Sequence, residues 1–230
     1  MSELKILSTH AVQEALRELL PEFERAAGIR AIIDFDPANA LMRRIESGAK
    51  FDVAIVTRSV IDALVGQGLM LGESCVDLAR SGLGIAVRSG ASKPNIATID
   101  AFKNALLRTR SVVRSKEGTS GVYFQTLLER LGIAEVMRNR IILGGSGRVA
   151  ELVARGEAEY AVQQIPELLP VSGVELVGPL PPELQLYTVF SAGVGSASPN
   201  RSGACDLIAY LARQAVAPAY VTKGFEPIAR

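Results

Sequence analysis

The sequence predicts an α/β protein of two lobes, each a mixed, mainly parallel sheet flanked by helices, joined by two crossovers. The palette is one reason. Hydrophobic residues make up 48% of the chain, yet aromatics are only 5% and Trp is absent, so Val, Ile, Leu and Ala dominate. Such a mixture suits strands buried on both faces by helices. The second reason is order. Apolar strands and amphipathic helices alternate before residue 60 and again from about residue 82, and parallel neighbours need long crossovers of this kind.

Leu4 to Leu7 reads as a strand, and a helix over Ala11 to Ala26 carries Ala11, Val12, Ala15, Leu16, Leu19, Leu20 and Phe23 at helical spacing. Gly28 closes it as a C′ residue. Ala31 to Phe35, a helix over Ala38 to Ser47, and Val53 to Val56 follow, then a short helix over Val60 to Val65 and a turn at Gly66 to Leu69. Leu83 to Val87 opens the second set. A helix over Ile99 to Leu107, capped near Thr98 or Asp100, leads to a strand at Val112 and Val113 and a helix over Val122 to Leu131. Ile141 to Leu143, a helix over Arg148 to Ala154, and Tyr160 to Gln163 complete it. The prolines at 179, 181 and 182 break the pattern, Leu186 to Phe190 returns the chain to the first lobe, and Cys205 to Gln214 is the last helix. Lobe 1 is therefore expected at 1–81 with 186–230, and lobe 2 at 82–185.

Lys plus Arg number 25 against 24 Asp plus Glu, a net charge of +1 with no long run of either sign. Nucleic acid is therefore not an expected partner. No stretch approaches the roughly 20 apolar residues of a membrane span, and no membrane insertion is expected. Met1 to Ser8 lack a basic segment followed by an apolar one, so the chain as written is expected to stay in the cytoplasm, or in the periplasm if a leader has been removed. The distant Cys75 and Cys205 read as two small apolar residues, with a bridge left open. One His, two separated Cys and no clustered carboxylates make no metal site. Gly144-Gly145-Ser146-Gly147 is not followed by the Lys and Ser/Thr of a phosphate-binding loop, and no Gly-x-Ser-x-Gly elbow is present. No cofactor is expected.

Strand-to-helix junctions carry the chemistry. The first N–H groups of a helix lack partners and the dipole is positive there, which favours anions. Four junctions follow predicted strands: Ser8-Thr9-His10, Asp36-Pro37-Ala38-Asn39, Thr119-Ser120-Gly121 and Gly145-Ser146-Gly147. Open α/β sheets place ligands at such carboxyl ends. His10, the lone histidine, is suited there to hold a carboxylate or move a proton. Arg43, Arg58, Arg114 and Arg148 lie near the junctions. Arg148, in the first turn of its expected helix, opposes the dipole, which makes its presence informative.

The order of motifs resembles the molybdate-binding proteins of ABC importers, a type 2 periplasmic-binding-protein fold. The likeness spans nearly the whole chain: Lys5-Ile6-Leu7-Ser8 leading to Gly28, Leu41-x-Arg43-x-Ile45-Glu46-x-Gly48, Asp52-Val53, Gly121-x-Tyr123 and Lys223-Gly224-Phe225. The resemblance implies a small anion held between two lobes that close on hinge strands near Gly82 to Ile85 and Leu186 to Phe190, with an ABC permease as partner. It also implies hydroxyl donors that this sequence lacks. The first-loop serine falls on Ala11, the second-loop serines on Pro37, Ala38 and Asn39, and the last-loop tyrosine on Gln163 or Gln164.

Amides, imidazole and Arg148 suit an organic di- or tricarboxylate better than molybdate. The expected ligand set is Ser8, Thr9, His10, Ala11, Ala38, Asn39, Thr119, Ser120, Gly121, Ser146, Gly147, Arg148, Gln163 and Gln164. The family also resembles, in part, an isomerase that shifts the double bond of aconitate. In that case His10 is the expected proton carrier, with Glu117 and Tyr123 as further candidates.

Overall fold

Strand and helix alternate along the chain as far as β4 in the computed structural model, which describes residues 2–145 and 147–228. In chain order these elements are β1 (Ser2–Ser8), α1 (Gln13–Ala27), β2 (Ile29–Phe35), α2 (Ala38–Glu46), β3 (Val53–Thr57), α3 (Arg58–Gly66) and β4 (Val76–Ser81). Next come β5 (Leu83–Arg88), α4 (Ile99–Arg108), β6 (Val112–Ser115), α5 (Thr119–Arg130), α6 (Ala134–Met137) and β7 (Ile141–Gly144). Then follow α7 (Glu151–Ala154), β8 (Tyr160–Gln164), α8 (Ile165–Leu168) and β9 (Val174–Pro179), before β10 (Thr188–Val194), α9 (Arg201–Leu211) and α10 (Ala217–Thr222). Two units result. The first runs to Ser81 and resumes at Thr188, and the second is Gly82–Tyr187.

The sheet of unit 1 has the order β2-β1-β3-β10-β4 and that of unit 2 the order β7-β6-β8-β5-β9. In unit 1 β1 pairs in parallel with β2 and β3, while β10 runs against β3 and β4. In unit 2 β6 pairs in parallel with β7 and β8, while β5 runs against β8 and β9. Each sheet is therefore mixed, with one reversed strand.

Side chains alternate across a strand, and helices cover both faces. Leu4 and Ile6 of β1 pack with Leu16, Leu20, Leu207 and Leu211 from α1 and α9. Leu7 of the same strand joins Leu41, Ile45, Ile61 and Leu64 from α2 and α3. All five residues of β3 are buried, which is why they read as a continuous apolar run. In unit 2 Leu83, Ile85 and Val87 meet Phe102, Leu106, Phe124 and Leu127, while Ala86 and Val113 meet Val149, Val153 and Leu168.

Several expected boundaries shift. The first helical turn, His10–Val12, is 3-10 and α1 proper begins at Gln13. α5 starts at Thr119, three residues before Val122, so Thr119, Ser120 and Gly121 are its first turn. α7 starts at Glu151, so Arg148 lies before the helix, outside its first turn, and opposes no helix dipole there. The return strand begins at Thr188, after Leu186. The helix expected at Cys205 to Gln214 spans Arg201–Leu211, capped by the Asn200 side chain accepting from Gly203 N–H, and α10 is the last helix. Cys75 and Cys205 are both free thiols.

Candidate functional site

Parallel pairing sets the carboxyl ends of β1, β2 and β3 side by side, with Ser8 opposite Phe35 on one flank and Ile55 on the other. The Asp36 N–H donates to the Ser8 carbonyl at 3.1 Å, and the Thr9 N–H to the Ile55 carbonyl at 3.0 Å. Thr9 thus has no main-chain donor left for a guest. Its hydroxyl is another matter: Thr9 is buried, and its Oγ1 has no hydrogen-bond partner among the described residues.

His10 opens the 3-10 turn with its ring stacked on Phe35, centroids 6.0 Å apart. Its Nδ1 lies 3.4 Å from Gln13 Oε1, while Nε2 is buried without a partner among the described residues. With Gln13 Oε1 as the acceptor, Nδ1 carries a hydrogen and Nε2 is the ring atom left for a guest. Ser8 is fully buried, its hydroxyl 3.3 Å from the Thr9 carbonyl. Ala11 and Ala38 are buried and offer only main-chain N–H groups, whereas Asn39 is exposed and already engaged.

In unit 2 the corresponding edge is formed by the ends of β6, β7 and β8. Ser115 Oγ accepts from the Gly118 N–H at 2.9 Å, which fixes the N-cap from which Thr119, Ser120 and Gly121 begin α5. Ser120 is buried. Gly121 presses on β6 so closely that a Cβ would stand 1.9 Å from the Ser115 carbonyl oxygen. The Lys116 N–H donates to the Gly144 carbonyl at 3.1 Å, which joins this turn to the end of β7. Ser146 lies outside the described residues. Gly147 has φ 98°, a left-handed conformation natural to glycine, and its carbonyl accepts from Gln163 Nε2 at 2.9 Å. Gln163 Oε1 is buried with no partner among the described residues.

Glu167 was not singled out by the sequence. Gln164 is the N-cap of α8 and Glu167 the third helical residue, with Pro166 between them. Its carboxylate accepts from the Gln164 N–H, as in a capping box, and from the Gln163 amide. Part of its surface stays open, yet enough protein surrounds the carboxyl that burial pushes its pKa up to about 7, against those bonds and the charge of Arg148. The Gln-Ile-Pro-Glu spacing, with proline in the first turn, was the available signal.

Other candidates are engaged elsewhere. Arg58 binds Asp62 at 2.8 Å and Asp77 at 3.0 Å. Arg114 donates to the Ser115 carbonyl and to Gln125, and burial lowers its pKa. The Tyr123 hydroxyl donates to the Leu184 carbonyl at 3.0 Å, a packing role. Arg43, Glu117, Arg148 and Gln164 each have partners. Among the described residues, no group of three or more His, Cys, Asp and Glu is placed to hold a metal. Buried side-chain atoms left without a bond there are Thr9 Oγ1, His10 Nε2, Gln163 Oε1 and Arg114 Nε. The first three sit at strand-to-helix junctions. An unmet buried polar atom costs about 1–3 kcal/mol, so in each unit such atoms mark a strand edge where a guest would compensate, Thr9 and His10 in the first and Gln163 in the second.

Comparison with known proteins agrees with the architecture. An aconitate isomerase from a Pseudomonas species is 33% identical over 234 residues, covering 99% of this chain and 89% of its own. The molybdate-binding protein of Escherichia coli strain K12 is 25% identical over 194 residues, covering 78% of this chain and 72% of its own. The periplasmic molybdate-binding protein of Azotobacter vinelandii shares the type 2 periplasmic-binding-protein fold, with a TM-score of 0.83, 17% identity, and coverage of 98% and 100%. A family model described as bacterial extracellular solute-binding protein matches residues 4–226, and the chain belongs to that family.

Proposed function

We propose that this chain binds a small organic anion, a di- or tricarboxylate, as the solute-binding protein of an ABC-type importer with a permease as its partner. The observation that carries the reading is that each unit leaves buried polar atoms unpartnered at its strand-to-helix junctions: Thr9 Oγ1 and His10 Nε2 in the first, Gln163 Oε1 in the second. Main-chain N–H groups in the first helical turns at Ala11, Ala38 and Ser120 are the donors suited to carboxylate oxygens. Molybdate suits these residues poorly, because Ala11 and Ala38 supply no hydroxyl, while an amide and an imidazole match the carboxylates and hydroxyls of an organic acid. An importer role requires delivery beyond the cytoplasmic membrane. Among the described residues, no helix is long and apolar enough to cross a membrane.

A second reading is favoured by the 33% identity to an aconitate isomerase. Here His10 Nε2 takes a proton from the allylic carbon of an unsaturated tricarboxylate, the double bond moves one carbon along, and the proton returns at the far end of the three-carbon unit. Nε2, buried with no partner among the described residues, is the atom offered as the base.

Incubation with trans-aconitate in deuterated water, followed by NMR and calorimetry, separates the two. Saturable binding with no second isomer and no deuterium incorporation supports the importer reading and overturns the isomerase. Isomer formation with deuterium uptake, abolished in His10→Ala, supports the isomerase. Absence of binding to every di- and tricarboxylate tried overturns both.

A further inference from the structure

The orientation of the Gln163 side chain is dictated by its neighbours. Its Nε2 donates to the Gly147 carbonyl at 2.9 Å. That carbonyl is an acceptor, so turning the amide over would set Oε1 against it. What remains is Oε1, on a residue only 1% exposed, with no partner among the described residues. An unmet acceptor therefore lies at the end of β8, beside the turn that precedes α7.

A carboxylate oxygen brought against that acceptor gains nothing and leaves two oxygens facing each other without a hydrogen. A hydroxyl placed there satisfies it. We infer that the site selects a carboxylic acid that also carries a hydroxyl, whose hydrogen is donated to Gln163 Oε1, over an acid of the same charge and skeleton that lacks one. The inference rests on the anion-binding reading above and narrows it. It also gives a reason, independent of the missing serines, for excluding fully ionised tetrahedral oxyanions, which have no hydrogen to offer.

Citrate and tricarballylate provide the test, because they share the carbon chain and three carboxylates and differ by one hydroxyl. Titration calorimetry at pH 8 and equal ionic strength is expected to show citrate binding at least tenfold more tightly, a ratio typical of one unmet buried acceptor. In Gln163→Leu, which removes the acceptor, the ratio should fall to near one. The comparison within the unaltered protein stands even if that variant does not fold. Equal affinities, a preference for tricarballylate, or a ratio unchanged in Gln163→Leu would overturn the inference while leaving anion binding intact. Failure of either acid to bind, together with failure of every other carboxylate, would overturn the anion-binding reading as well.

Discussion

His10 and Glu167 show how a single side chain connects the fold to its chemistry. The Nε2 of His10 makes no bond among the described residues, so truncation should cost the guest more than the protein. His10→Ala is expected to weaken binding of the organic acid about tenfold, the usual cost of losing one hydrogen bond with the guest, while the midpoint of thermal unfolding changes little. A large loss of stability with affinity unchanged would show instead that the ring is a packing element against Phe35. Glu167 behaves differently, because burial holds its pKa up to about 7 from an ordinary value of 4.5. The folded protein keeps this proton to a higher pH than the unfolded chain does. Its contribution to stability is therefore fully present below about 4.5, declines as pH rises through the window to about 7, and then levels off. The decline is on the order of 2–3 kcal/mol. Urea unfolding at pH 5 and pH 8 should show that difference in the natural chain and a smaller one in Glu167→Gln. Equal slopes in the two proteins would assign the effect to other groups.

The junction of β6 and α5 is the most tightly specified of the elements that carry the site. Gly121 has no room for a side chain against the Ser115 carbonyl, so Gly121→Ala must push the first turn of α5 away from the sheet. Overpacking of this kind costs roughly 1–3 kcal/mol, and the same displacement moves the Thr119 and Ser120 N–H groups. Denaturation should register the loss of stability, and calorimetry should show a parallel loss of affinity; full retention of both would mean that the turn tolerates the shift. Among the elements, strands with continuous apolar runs such as β3 and β8 were legible in the sequence. β4 and β9 were not. In β4, Asp77 sits inside a strand because its carboxylate accepts from Ser191 Oγ at 2.6 Å across the pair with β10. β9 ends at Pro179 and pairs with β5 through a register shift between Ile85 and Ala86. Both are half-exposed edge strands, and a partner strand distant in sequence, more than their own composition, makes them strands. The length of α7 was overestimated for a related reason, since the residues from Arg148 to Ala150 turn to meet the sheet and do not continue the helix.

At the scale of the whole molecule, each unit closes its own cores, and a guest adds stability by mass action. A ligand at 100 times its dissociation constant adds about 2.7 kcal/mol, which for a chain of this size raises the unfolding midpoint by roughly 5–10 °C. Thermal scans with citrate, trans-aconitate and molybdate should therefore rank the ligands directly, with molybdate lowest. A shift with molybdate alone would contradict the carboxylate reading.

Composition, helical spacing and the order of strand-to-helix junctions are local properties, and from them the sequence by itself determined an α/β chain of two mixed sheets with anion-suited turns at strand ends. Which atoms at those turns stay unpaired was decided only by tertiary structure. The Thr9 N–H is consumed by Ile55, and the Gln163 amide is oriented by Gly147. Hydrogen bonds between residues so far apart along the chain depend on strand register, and register is settled when the sheet assembles.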